Sequence, residues 1–318
     1  MKKTNGHNRE RKNIAIALFF FFCFLFTAYN MKAQQLPQYT QYMINSFTLN
    51  PAVAGTQPYF EACSDNRYQW VGITDAPRTY MLTFDGPITQ QHIGIGGYVY
   101  TDVTGPVSHT GFNSAYSYHL EITKGLNLSM GLTVGIMQFA VNGSQISLEE
   151  VGDPALTSAQ ESVIVPDIGC GAYLYGRNFY FGFAAPQIVQ SRLQITQMST
   201  PANELVTHYY TTAGYNFDLG HDFSLDPCVL AEYVFPAPIQ FDFNLRVLYE
   251  KKFWLGAGYR TLDAVYAMIG YVYQDNLTFG YSYDYSITDI RNYSFGTNEI
   301  FIGIKFDRQK NYKGVPQF

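Results

Sequence analysis

The sequence predicts an all-β fold, an antiparallel transmembrane β-barrel of about fourteen strands with a short N-terminal segment before the first strand. Beyond residue 33, apolar and polar residues alternate with a period of two, as in strands whose two faces meet different surroundings. The alternating runs are about ten to fifteen residues long, which exceeds the usual length of soluble strands and suffices for a tilted membrane crossing. Short and long connections also alternate along the chain, as they do in membrane barrels.

The first 33 residues have the pattern of a cleaved secretory signal peptide. A basic stretch from Lys2 to Lys12 precedes an apolar run from Ile14 to Ala28, and cleavage is predicted after Ala33. An uncleaved membrane anchor is the alternative, but the apolar run is shorter than the roughly 20 residues that a helical span needs. We therefore predict that the mature chain is exported.

Residues 34–55 form the segment that precedes the predicted barrel. Residues 39–49 are predicted to form a short helix, which would end before Pro51 because the residue before a proline avoids helical geometry. The segment would either lie in the periplasm or plug the barrel. The barrel itself is assigned to residues 56–307, and residues 308–318 form a polar tail.

The alternation is clearest between residues 126 and 136. Leucine, methionine, valine and isoleucine occupy the even positions, whereas asparagine, serine, threonine and glycine occupy the odd ones. In a membrane barrel the apolar face contacts lipid, and the opposite face, with Asp242, Arg246 and Asp284, would contact water in the lumen. The predicted strands lie near 59–70, 78–86, 92–101, 110–121, 126–141, 163–176, 178–186, 204–218, 221–233, 239–250, 252–261, 264–274, 276–287 and 297–307.

The predicted connections test the barrel independently of the strands. Every second connection is short, which suits periplasmic turns, and the other set contains the long ones. The long connections are predicted at residues 71–76, 102–109, 142–162, 187–203 and 288–296. A barrel also closes on itself, so that no strand edge is left unpaired in lipid.

Composition supports a membrane surface and argues against nucleic acid as a partner. Charged residues make up 14% of the chain, and it has 27 Tyr and 25 Phe but only 2 Trp. Tyrosine-rich surfaces suit the interface between lipid and water. Without residues 1–33 the chain keeps 14 basic and 24 acidic residues, a net charge of about −10 that would repel phosphates.

No recognisable chemistry is found in the sequence. Metalloprotease, nucleophile-elbow and phosphate-loop motifs are absent, and the glycines at residues 94–97 lack the dinucleotide-binding spacing. His119 and His208 are interpreted as solvated lumen residues. Three cysteines remain after cleavage, as three thiols or as one pair and one thiol. We predict no catalytic, cofactor-binding or metal site, and no enzyme.

Several blocks of the mature chain resemble the PorP/SprF family of type IX secretion. The blocks between residues 38 and 87 are specific, because their spacing serves no general purpose in a barrel, and the resemblance extends over essentially the whole mature chain. The blocks are residues 38–45 (QYTQYMIN), 49–55 (LNPAVAG), 67–72 (RYQWVG), 76–79 (APRT), 84–87 (FDGP), 104–106 (TGP), 116–120 (YSYHL), 282–286 (SYDYS) and 298–300 (NEI).

The resemblance implies a non-enzymatic outer-membrane component of the type IX secretion and gliding machinery. Its implied partners are the periplasmic lipoprotein ring of that machinery, a secreted adhesin or other type IX cargo, and outer-membrane lipid. The matching positions that we predict to bind a partner are Gln41, Tyr42, Met43, Asn50, Pro51, Gly55, Arg67, Gln69 and Trp70.

Two functions follow as hypotheses. In the first, the barrel docks or anchors the secretion apparatus or its cargo, since a barrel of this strand number is too narrow for a folded adhesin. Residues 34–55 would then face the periplasmic machinery, and the loops at 142–162 and 187–203 would meet the cargo. In the second, the barrel is a channel for small solutes or hydrophobic ligands. A secreted soluble β-sandwich lectin is a third possibility, which strand length and loop parity oppose.

Overall fold

In the part of the chain that the structure describes, fifteen strands form one antiparallel sheet that closes into a barrel. The structure is a computed structural model that describes residues 36–89, 92–145, 160–193, 204–220 and 222–306. The strands are β1 Phe60–Tyr68, β2 Arg78–Thr89, β3 Ile93–Thr104, β4 Val107–Thr123, β5 Leu126–Asn142, β6 Gln160–Gly176, β7 Phe179–Ala185, β8 His208–Tyr215, β9 Phe217–Gly220, β10 Phe223–Val234, β11 Gln240–Tyr249, β12 Phe253–Arg260, β13 Ala264–Tyr273, β14 Leu277–Ser286 and β15 Thr297–Phe306.

The predicted fourteen crossings are confirmed. Strands β8 and β9 both pair with β10 and are separated only by Asn216, so they are two halves of one crossing. Neighbours in sequence pair throughout, and β1 closes the barrel against β15 from the pair Phe60–Phe306 to the pair Tyr68–Asn298. The predicted signal peptide, the C-terminal tail and most of the loops at 142–162 and 187–203 lie outside the described residues.

The outer wall is apolar and the inner face is polar. Along β14 the aromatic residues Phe279, Tyr281, Tyr283 and Tyr285 point outward, and the residues between them are buried. Strand β5 repeats the pattern with outward leucine, valine and isoleucine side chains. None of the helices in the described ranges is long and apolar enough to cross a membrane.

The lipid-facing assignment of this wall is tested with a charge on its outer face. Leu132 on β5 points outward, and Leu132→Arg is expected to lower the free energy of unfolding by about 2–4 kcal/mol because an arginine there must leave water. The measurement is urea-induced unfolding in lipid vesicles. Leu262→Arg, in an exposed connection between β12 and β13, is the control and should leave stability within about 0.5 kcal/mol. Equal effects at both positions would contradict the assignment.

The two ends of the barrel differ in their connections, largely as predicted. We call the end with connections 90–92, 124–125, 177–178, 221–222, 250–252 and 274–276 the turn end, and the opposite end the loop end. One expected long loop is wrong, because residues 102–109 form a tight hairpin instead. Strand β3 continues to Thr104 and β4 starts at Val107, and Gly105 between them takes the positive φ of 53° that a tight turn favours.

The expected helix over residues 39–49 is also wrong. Turns occupy residues 40–44, and short 3₁₀ helices cover Ser46–Thr48 and Pro51–Val53. Two further 3₁₀ helices are found at Gly143–Gln145 and Asp289–Asn292. Most backbone N–H groups of this stretch that bond to the backbone reach a carbonyl three residues earlier, as in turns and 3₁₀ helices. The N–H groups of Thr40, Gln41 and Gly55 bond to carboxylates of the barrel wall.

Candidate functional site

Residues 36–56, which we call the lumenal segment, lie inside the barrel. Their side chains and backbone contact inward-facing residues from opposite parts of the wall, including Thr83 on β2 and Asn244 on β11. Thr40, Gln41 and Ala52 have no exposed surface. Such burial of a segment outside the sheet requires that its polar groups find partners in the wall, which they do at three levels.

The upper level is a cluster of buried charges near the loop end, formed by Arg67, Asp242, Arg260, Asp284 and Glu299. Arg67 bridges Asp284 and Glu299 at 2.8 Å each. Arg260 lies 2.8 Å from Asp242 and 3.3 Å from Asp284. All five residues are less than about a tenth exposed, so their charges are stabilised by each other and not by water.

The lumenal segment completes this charge cluster. The hydroxyl of Thr40 donates to Asp284 at 2.7 Å and accepts from Arg67 at 2.9 Å. The two oxygens of Glu299 accept the backbone N–H groups of Thr40 at 2.8 Å and Gln41 at 2.7 Å. One carboxylate therefore satisfies two consecutive backbone donors, and such charge-assisted bonds are roughly twice as strong as neutral ones.

The middle level is made by the amide of Asn50. Its nitrogen donates to the carbonyls of Ala172 at 3.0 Å and Phe183 at 3.3 Å, on β6 and β7. Its oxygen accepts the N–H of Ala52 at 2.9 Å and so caps the 3₁₀ helix Pro51–Val53. Gly131 on β5 allows this helix to approach, because a Cβ there would come within 2.3 Å of the Ala52 nitrogen.

The lower level adjoins the middle one, since Ser117 on β4 pairs with Gly131 on β5. The carbonyl of Ala54 accepts a hydrogen bond from Ser117 at 2.7 Å and lies 3.0 Å from Nε2 of His119. The Gly55 N–H donates to Asp85 at 3.2 Å. The next residues lead directly into β1, so the segment spans most of the barrel's height.

These contacts correct the interpretation of the inner face as a solvated one. Asp242, Arg246 and Asp284 are buried in ion pairs, with Arg246 lying 2.7 Å from Asp226. His119 and His208 are buried as well, and each lies within hydrogen-bonding distance of the lumenal segment. The sequence alone suggested water because it did not show that the chain fills its own lumen.

Six of the nine predicted partner-binding residues are buried by these contacts and three are half-buried. Gln41, Tyr42, Asn50, Pro51 and Gly55 belong to the lumenal segment, and Arg67 belongs to the charge cluster. The half-buried residues are Met43, Gln69 and Trp70. A role of these nine residues in binding a partner stays a prediction, and their internal contacts give six of them a structural role.

Gln69 and Trp70 lie at the loop end, where two connections meet. The Phe295 N–H donates to the Val71 carbonyl at 2.7 Å, and the Val71 N–H donates to the Gly296 carbonyl at 2.8 Å. Tyr293 and Phe295 are about three quarters exposed there. We call residues 69–73 and 293–296 the aromatic ledge, which is an exposed apolar feature outside the sheet.

The charge cluster explains why separate sequence blocks occur together. The blocks at 38–45, 67–72, 282–286 and 298–300 contribute Thr40, Arg67, Asp284 and Glu299, which lie within hydrogen-bonding distance of each other. Arg260 was missed, because no residue around it belonged to a block. Its position opposite Asp242 in the β11–β12 register was the only available signal.

The remaining chemistry is sparse in the described part of the chain. No group of three histidine, cysteine or acidic residues there could hold a metal ion. Cys63, Cys170 and Cys228 are free thiols. A cavity of about 30 Å³, the space of one water molecule, lies between the lumenal segment and the Asp226–Arg246 pair.

Comparisons with known proteins agree with this architecture. Residues 31–304 match the family model described as type IX secretion system membrane protein PorP/SprF. No curated protein is similar enough in sequence to match.

Solved structures with a similar fold are barrels of very different sequence. The monoaromatic hydrocarbon channel CymD has a TM-score of 0.50 and 12% identity, over 86% of this chain and 94% of that one. The Ralstonia pickettii toluene transporter TbuX has a TM-score of 0.49 and 10% identity, over 82% of this chain and 92% of that one. At 12% identity the likeness to CymD shows the barrel fold alone.

Proposed function

The chain belongs to the PorP/SprF family of type IX secretion system membrane proteins, and from this premise we propose that it is a closed docking barrel without enzymatic activity. It is an outer-membrane β-barrel. The proposed role is to anchor the secretion apparatus, its cargo, or both at the outer membrane. A surface adhesin used in gliding is one such cargo. A cleaved signal peptide would deliver it to the periplasm for assembly.

The occupied lumen is the observation that supports docking most strongly. The lumenal segment bonds to the wall at three levels and includes residues with no exposed surface. A barrel of fourteen crossings has a narrow interior even when it is empty. A folded exported protein therefore has no path through this chain, and contacts with other proteins must use its outer surfaces.

Three outer surfaces remain for partners. The apolar wall contacts lipid. The turn end faces the periplasm in membrane barrels, so the lipoprotein ring is its proposed partner. The loop end faces outward and carries the aromatic ledge, so an exported adhesin or other cargo is its proposed partner. Large exposed aromatic side chains such as Tyr293 and Phe295 are typical anchors at protein interfaces.

The test is the secretome of a strain that lacks this chain, compared with strains that carry variants of it. Deletion should abolish export or surface display of at least one type IX cargo. Tyr293→Ala combined with Phe295→Ala should reproduce the loss while the barrel remains in the outer membrane at its normal level. Tyr281→Ala, on the outward face of β14, is the matched control that removes an aromatic residue from the wall and should leave export unchanged.

The outcomes separate the possible roles. Loss of many exported proteins on deletion would make the barrel a general component of the machine, whereas loss of one adhesin would make it a dedicated partner. An unchanged secretome after deletion would refute docking and favour the channel hypothesis. Normal export by the ledge variant would remove the aromatic ledge from the proposal.

A further inference from the structure

We infer that the lumenal segment is threaded through the barrel from the outer mouth down to the turn end, so that Leu36 is presented outside the cell and not to the periplasmic machinery. This inference takes the membrane orientation from the proposed function. It replaces the expectation that the segment before the barrel faces the periplasmic ring. The direction of the thread follows from the wall residues that successive parts of the segment contact, and from how close each of those residues lies to the loop end or the turn end.

The first contacts are at the loop end. The Leu36 N–H donates to Nε2 of His208, the first residue of β8, at 3.4 Å. The Gln38 amide donates to Gln240, the first residue of β11, at 2.6 Å, and to Glu232 near the end of β10 at 3.3 Å. Because β8 and β11 begin and β10 ends at the loop end, residues 36–38 lie at that mouth.

The contacts then descend in sequence order. Thr40 meets Glu299 near the start of β15, whereas Asn45 donates at 3.0 Å to Thr83 in the middle of β2. Gly55 packs on Gly94, the second residue of β3, which begins at the turn end. Phe60 then begins β1 at the same end, opposite Phe306.

Burial agrees with this direction at the two ends of the segment. Residues 36–38 are half-buried, whereas Tyr39 to Tyr42 and residues 50–56 are buried. A half-buried start is expected for a chain that enters at a mouth open to water. The lumenal segment is therefore an additional crossing inside the barrel, which runs opposite to β1.

The extra crossing changes which partner can reach the segment. The end at which β1 begins decides which connections are periplasmic. The turn end can therefore be periplasmic even though the lumenal segment starts at the loop end, on the outer side of the membrane. Leu36 to Gln38 would be accessible to an exported protein at the cell surface. Contacts with the periplasmic ring would fall to the turn end, since the lower part of the segment is enclosed by β2, β3 and β4.

The test is cysteine labelling of intact cells with a maleimide that does not cross the outer membrane. Leu36→Cys is compared with Leu262→Cys at the loop end and Lys124→Cys at the turn end, both exposed positions. The parent chain, whose three described cysteines are buried or half-buried, supplies the background. We expect Leu36→Cys and Leu262→Cys to react in intact cells, and Lys124→Cys to react only after the membrane is permeabilised.

The outcomes separate the thread from the orientation. If Leu36→Cys, like Lys124→Cys, reacts with the maleimide only after permeabilisation, or reacts in neither condition, the threading is wrong. If Lys124→Cys reacts in intact cells and Leu262→Cys only after permeabilisation, the orientation in the proposed function is wrong. The threading still stands in that case when Leu36→Cys reacts under the same condition as Leu262→Cys.

A chemical cross-link between two cysteines tests the thread without any assumption about orientation. Gln38→Cys with Gln240→Cys should be joined by a bis-maleimide, which spans the length that the two glutamine side chains bridge, and the cross-link should shift the mobility of the chain on a gel. Gln38→Cys with Thr278→Cys is the matched control, because Thr278 lies on the inner face at the turn end. A cross-link in the control pair and none in the first pair would overturn the inference.

Discussion

We expect removal of residues 36–50 to convert the barrel from a closed to a conducting one in planar lipid bilayers. The deletion takes away Thr40, Gln41 and Asn50, which hold the segment to the charge cluster and to β6 and β7. The inner wall that remains is polar, with aspartate, glutamate, asparagine and serine side chains that water would solvate. A polar lumen that is no longer filled by chain should admit water and small ions.

The comparison is between the single-channel conductance of the parent chain and that of the deletion variant. The parent should show no steady open state. The variant in which a bis-maleimide joins Gln38→Cys to Gln240→Cys keeps its segment and is the matched control, so it should stay closed. A steady open state in the parent would favour the channel hypothesis over docking. A closed deletion variant would show that the wall side chains alone fill the lumen.

Replacement of Arg67 by alanine is the point substitution with the largest expected cost to stability. Arg67 is 2% exposed and bridges two buried carboxylates, Asp284 and Glu299. Without it, negative charges lose a partner in a site that water does not reach. Breaking a buried pair by removing one partner costs about 3–5 kcal/mol, chiefly because the remaining charge stays buried.

The measurement is the free energy of unfolding in lipid vesicles. Unfolding is monitored on a gel, where the folded and the unfolded chain differ in mobility. Arg192→Ala removes an ion pair of the same 2.8 Å length with Glu204, but Arg192 is largely exposed. Water screens such a pair, so this control should cost about 0–1 kcal/mol. A similar small cost for both variants would show that the charge cluster is hydrated and does not hold the segment.

A consequence of Arg67→Ala can be measured separately from global stability. Arg67 also donates to the Thr40 hydroxyl, so its loss should loosen the upper level of the lumenal segment first. Limited proteolysis of the folded barrel should then cleave near residues 36–41 in the variant and not in the parent.

The sequence by itself determined where the chain crosses the membrane. Alternation with a period of two is a local property, since successive side chains in a strand point to opposite faces. Fourteen crossings could therefore be placed within a few residues of their observed bounds, and the apolar face could be assigned to lipid. The blocks between residues 38 and 87, with the matches further along the chain, also suggested the family, which the comparison confirmed.

Some local features were decided by contacts that the alternation does not contain. The hairpin at Gly105 was expected to be a long loop, because polar residues around a glycine look the same in a turn and in a loop. The segment at 39–49 was expected to be a helix, but the N–H groups of Thr40 and Gln41 bond to Glu299, which is more than two hundred residues away, and the rest forms turns and a 3₁₀ helix.

Only the tertiary structure decided what fills the lumen. The pattern of inward polar residues is the same for an open, water-filled barrel and for one that holds a segment of its own chain. Ring closure brings Arg67, Arg260, Asp284 and Glu299 around Thr40, and these contacts join residues from four strands and the segment. Such an arrangement depends on long-range register, so periodicity identifies the strands but not the plug that they enclose.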